Sequence, residues 1–104
     1  MNGYIKFQDV ASSANVANTF YYAKANTIEY VLTSATTVVF HVLGPGANAA
    51  LDTVTITCAS GYSEALANQI IKQAASLRGG QIMTVDVNTG KSGTAISDIS
   101  PAVV

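Results

Sequence analysis

Residues 27 to 43 constrain this chain more than any other stretch. Two arms, Thr27-Ile28-Glu29-Tyr30-Val31-Leu32-Thr33 and Thr36-Thr37-Val38-Val39-Phe40-His41-Val42-Leu43, flank Ser34-Ala35. Both are β-branched and aromatic, and the short break between them is hairpin spacing. Ser-Ala is a weak turn pair, which leaves room for a longer tip. Pairing Thr33 with Thr36 sets Tyr30 opposite Val39 and Val31 opposite Val38. One face then holds Ile28, Tyr30, Leu32, Val39 and Leu43, and the other holds Val31, Val38, Phe40 and Val42. An antiparallel pair with one wet face carries a polar side. Here both sides are apolar, so the hairpin is expected to be covered twice, once by the chain's own helix and once from outside. The outside contact is expected at Ile28, Tyr30, Val39, His41 and Leu43.

Charge points the same way. The chain has 104 residues, of which 49% are hydrophobic and 11% charged, where a typical soluble domain carries about 25% charged residues. A monomer of this mass exposes roughly 5,500 Å², and five cations plus six acids are all the charge there is to cover it. This shortage predicts a homo-oligomer or a place in a larger assembly. Lys6, Lys24, Lys72, Arg78 and Lys91 are scattered and the net charge is −1, so no footprint for nucleic acid or anionic lipid is expected.

Periodicity supplies the remaining elements. Residues 4–8 alternate, with Ile5 and Phe7 on one side. Residues 11–18 read as a loop, and 19–23 as a short aromatic strand ended by a bend at Ala25-Asn26. Residues 44–51 form a loop. Residues 52–58 alternate strictly, with Val54, Ile56 and Cys58 inward and Thr53, Thr55 and Thr57 outward. A helix follows, with Ser63 as N-cap, Glu64 in its first turn, and Leu66, Ile70, Ala74 and Leu77 on one face. Gly79-Gly80 stop it. Strands over 81–87, with Met83, Val85 and Val87 inward, and over 94–99, ending before Pro101, complete the chain. The expected fold is α+β in a single domain, 1–104: a predominantly antiparallel sheet of about six strands, with one amphipathic helix over about residues 63–78 packed on one face.

Little in the sequence points to chemistry. His41 is the single histidine and Cys58 the single cysteine, so neither a disulfide within the chain nor a multi-cysteine metal site is available. Cys58 on an apolar strand face reads as a small hydrophobe, and His41 as a sheet or interface residue. Asp86 and Asp98 are placed to approach one another across the last two strands, but read better as solvent-face residues. Gly90-Lys91-Ser92 is the tail of a phosphate-loop pattern without its upstream glycine or its helix. Phe20, Tyr21 and Tyr22 form the one candidate ligand surface, for a sugar or a peptide. No catalytic, cofactor or metal residue is expected. The amino-terminal residues lack the pattern of a signal peptide, and no run has the roughly 20 apolar residues of a membrane span.

The stretch from Thr33 to Val42, a glycine-containing loop, Asp52-Thr53-Val54-Thr55-Ile56-Thr57, an Ala-rich helix and Met83-Thr84-Val85-Asp86-Val87 together resemble small proteins of roughly 100 residues encoded by marine tailed phages and found in marine metagenomes. Some of these look like virion structural proteins. The resemblance is one of pattern and composition from about residue 20 onward, and it brings no catalytic residues. It implies a non-enzymatic structural subunit of a virion, located in the particle or the host cytoplasm, that associates with itself and with other virion proteins. The alternative is a small ligand-binding module built on the surface aromatics. On the first reading Val39→Asp or Leu43→Asp breaks the oligomer, while Thr55→Asp on the exposed side of its strand is mild.

Overall fold

The computed structural model describes residues 3–8, 20–43, 51–86, 89 and 96–102. Within them lie seven strands and one helix: β1 (Tyr4–Gln8), β2 (Phe20–Lys24), β3 (Ile28–Thr33), β4 (Thr37–Val42), β5 (Asp52–Cys58), α1 (Ser63–Ala75), β6 (Ile82–Val85) and β7 (Ile96–Ala102). The fold is α+β, as expected, but its strands divide into two sheets. One has the order β2-β1-β6 and the other β3-β4-β5-β7. All pairs are antiparallel except β1 with β6.

The division follows from where the chain turns after β2. A short 3-10 helix at Ala25–Thr27 takes it from the first sheet into the second. This turn is tied down on both sides: the Ala25 N–H donates to the Gly3 carbonyl at 2.8 Å, and the Leu43 N–H donates to the Thr27 carbonyl at 2.9 Å. Gly3 is required there. A Cβ at this position would sit 2.7 Å from both the Gln81 carbonyl oxygen and the Leu77 side chain.

Alternation decides what lies between the sheets. Ile5, Phe7 and Val85 from the first sheet and Val38, Phe40, Val42, Val54, Ile56 and Ile99 from the second are buried. The rings of Phe7 and Phe40 meet at 5.5 Å between centroids, so the two sheets face each other across this contact. Helix α1 adds Leu66, Ala67, Ile70 and Ala74 to the same core and packs against β3, β4 and β6. Lys72, Gln73 and Arg78 are exposed, as their helical positions require.

Several local expectations are corrected. Ser63 is not the N-cap: Tyr62 holds that position without a side-chain cap, and the Ser63 hydroxyl instead donates to the Ser34 carbonyl. The helix ends at Ala75, short of the glycines. There the Ser76 and Leu77 N–H groups bond three residues back, to Gln73 and Ala74 at 3.2 Å, which tightens the last turn out of α geometry. The last strand runs through Pro101, which lies opposite Val54. Because β7 stands at the edge of its sheet, a proline there removes no ladder bond on an outer neighbour. The expected loops over 11–18 and 44–50, Val87, and the Gly90-Lys91-Ser92 turn lie outside the described residues.

The hairpin register is also shifted. Thr33 pairs with Val38, Leu32 with Val39, Val31 with Phe40 and Tyr30 with His41. The shift moves each partner by two residues and therefore preserves which side chains share a face. The tip is Ala35-Thr36, closed by a Ser34 N–H to Thr37 carbonyl bond of 2.9 Å. Its carbonyls are satisfied from the β5–α1 connection. The Cys58 N–H donates to Thr36 at 2.8 Å, the Gly61 N–H donates to Ala35 at 2.9 Å, and the Ser63 hydroxyl donates to Ser34. This docking lets a turn without Asn or Gly form where it does. Gly61 itself has φ +85°, a conformation costly for any residue with a Cβ.

Candidate interaction surface

The side of the four-stranded sheet that faces away from the core is built in rows by the strand register. Tyr30, His41, Thr53 and Ala102 form one row. Leu32, Val39, Thr55 and Ser100 form the next, and Thr37, Thr57 and Asp98 a third. The outward threonines of β5 and the second apolar side of the hairpin are thus a single surface. Its most prominent side chains are large and apolar: Leu32 is 57% exposed and Tyr30 48%.

Tyr30 and His41 stack, with ring centroids 4.1 Å apart and planes 15° from parallel. The stack stands above β3 and β4, with Tyr30 about half exposed. The charged residues of β3, β4, β5 and β7 are Glu29, Asp52 and Asp98. Asp52 points inward and is buried, Asp98 stands opposite Thr57 on the outer side, and Glu29 is the exposed residue at the irregularity of the other edge strand. Between them the central strands present only threonine, valine and histidine.

Of the five residues expected at an outside contact, Tyr30, Val39 and His41 lie on this face and two do not. An irregularity between Ile28 and Tyr30 sets Ile28 opposite Val42, on the core side, where it packs against the buried cluster. A bulge inverts the facing of everything beyond it. Leu43 lies past the end of β4 and borders a groove of about 340 Å³ with Tyr4, Tyr22 and Lys24.

The aromatic cluster divides by strand alternation. Phe20 and Tyr22 point outward from the three-stranded sheet, 39% and 52% exposed. Tyr21 points inward, 6.5 Å from the Phe7 ring. The Lys6 ammonium lies over Phe20, 4.2 Å from its centroid, and 5.8 Å from that of Tyr22. It covers one face of the Phe20 ring, while Tyr21 and Tyr22 both border the groove beside Leu43.

Tyr21 has a different role that alternation alone does not reveal. Its hydroxyl donates to Asp52 Oδ2 at 2.8 Å, which joins β2 of one sheet to β5 of the other. Burial, and then the hydrogen bond and negative charge of Asp52, push the Tyr21 hydroxyl up to about 12. Asp52 at the start of a strand gives no signal of this partner, 31 residues away.

The remaining chemical candidates stay apart. Burial pushes the Cys58 thiol up, the opposite of what activates a nucleophile. Asp86 and Asp98 do not converge: Asp98 lies on β7 of the four-stranded sheet, while Asp86 follows β6 of the other and binds the Thr89 hydroxyl through its N–H at 2.9 Å. Among the described residues no three His, Cys, Asp or Glu side chains group as metal ligands, and no helix is long and apolar enough to cross a membrane. No family model matches the chain, and neither a curated protein nor a solved structure matches it.

Proposed function

We propose that this protein is a non-enzymatic structural subunit that assembles with further copies of itself through the outer face of the β3-β4-β5-β7 sheet. The observation that carries this reading is the face itself: Tyr30, Leu32, Val39 and His41 stand on a continuous surface to which the central strands contribute no charged side chain. Exposed apolar surface of this kind marks an interaction site. Sheets stack face to face about 10 Å apart when their facing side chains are small and apolar, and rows of threonine and valine are suited to that spacing.

The shortage of charge across the whole chain supports the same reading, since a monomer gains solubility from charge that this one lacks. A repeated subunit of a phage particle is the setting that the resemblance implies, and a surface specialised for self-contact fits it. Light scattering on a sizing column, run across a dilution series, tests the reading. Assembly through this face gives a mass above 10.7 kDa that Leu32→Asp reduces to a monomer. A wild-type monomer at all concentrations contradicts it.

A further inference from the structure

The two sheets meet at Phe7 and Phe40, so their outer faces point away from each other, on opposite sides of the molecule. These faces differ in chemistry. Tyr4 pairs with Lys24, Lys6 with Tyr22, and Gln8 with Phe20, which places Phe20, Tyr22, Tyr4, Lys6 and Lys24 together on the outside of the three-stranded sheet. The charged residues of its strands are Lys6 and Lys24. On the four-stranded sheet Asp98 stands on the outer face, opposite Thr57, and Glu29 is exposed on the other edge strand. One side of the molecule is aromatic and cationic, and the other sets the Tyr30–His41 stack among aliphatic and hydroxyl side chains, with acids on its edge strands.

We infer that assembly is head to tail, with the four-stranded face of one copy seated on the Phe20-Tyr22-Lys6-Lys24 face of the next. This deepens the self-association reading and rests on it. One observation favours it over pairing of like faces. Like faces would bring the acids of both copies, Asp98 and the exposed Glu29 of the two edge strands, into one contact with no lysine on either side, whereas unlike faces set acids against lysines. Such a contact is heterologous, and it produces a ring where the rotation closes and a filament where it does not.

Complementation between blocked variants tests this. Leu32→Asp blocks the four-stranded face, and the double variant Lys6→Glu/Lys24→Glu reverses the charge of the other. Circular dichroism and thermal unfolding establish that each variant is folded. The expected result is that each alone is a monomer and that an equimolar mixture forms a species of two chains and no larger. In the mixture one intact face of each kind remains. If the Lys6→Glu/Lys24→Glu variant keeps the wild-type mass, or folded variants do not combine on mixing, head-to-tail assembly is wrong while self-association stands. A monomeric wild-type protein overturns both.

Discussion

Val39 and Thr55 lie directly opposite one another across β4 and β5. Their side chains therefore point the same way, and the polar-looking outer side of β5 belongs to the same surface as the apolar side of the hairpin. The pairing reverses an expectation drawn from β5 alone. If the proposed contact forms, Thr55→Asp should not be mild: like Val39→Asp, it introduces a charge at the centre of that contact. Both variants should lower the solution mass to that of a monomer, whereas Gln73→Asp on the exposed side of α1 should leave it unchanged. Parallel scattering runs of the three variants check this.

The Tyr30–His41 stack stands on the outer face of the four-stranded sheet. Tyr30→Ala removes the larger ring from a site that is half exposed in the isolated chain. Aromatic pairs of this kind contribute about 0.5–1.5 kcal/mol beyond the area they bury. Folding stability should fall by about that amount plus what the buried half of the ring contributes, about 1 kcal/mol more, while association weakens by about tenfold or more, as expected of an aromatic anchor. Urea denaturation and the dilution series separate the two effects.

The bond from Tyr21 to Asp52 predicts a pH dependence. With its folded value raised to about 12, Tyr21 favours folding while protonated. Its stabilisation is present below the ordinary tyrosine range near pH 10 and is lost as pH rises through about 12. In Tyr21→Phe that loss should be absent, and stability at neutral pH should drop by roughly 1.5–3 kcal/mol, the range for a hydrogen bond to a charged group. Thermal melts against pH, with phenolate absorbance followed in parallel, provide both readouts.

Docking of the hairpin tip on the β5–α1 connection is a fourth test. Ser63→Ala removes the hydroxyl that reaches the Ser34 carbonyl and should cost about 1 kcal/mol. Gly61→Ala forces a Cβ onto a residue with φ +85° and should cost about 1–2 kcal/mol. Neither position lies on the outer faces, so urea midpoints should fall in both variants.

Cys58 should behave as a core residue. Its thiol is buried and its ionisation is pushed up, so iodoacetamide at neutral pH should modify it only at the rate at which the chain opens. Mass spectrometry of the native and urea-unfolded protein distinguishes protection from reactivity.

How far the sequence was legible depended on the range of the interaction. In β5 the alternation of Val54, Ile56 and Cys58 with threonines identified both sides correctly, because a half-exposed strand encodes its facing locally. The two faces of the hairpin were equally readable. Its register was not, since the tip is positioned by Cys58, Gly61 and Ser63, more than twenty residues on, and not by its own turn residues. Ile28 was misplaced by one local irregularity. The split into two sheets depends on the parallel pairing of β1 with β6, which joins Ile5 to Met83 and has no local signature. Ser63 shows the same limit: a good N-cap residue bonds instead to the hairpin tip.

The most direct test of the account is the absolute mass of the wild-type chain in solution, measured by light scattering on a sizing column over a dilution series. The account predicts a species of two or more chains that persists as the protein is diluted and disappears in Leu32→Asp. A 10.7 kDa particle at every concentration would contradict it.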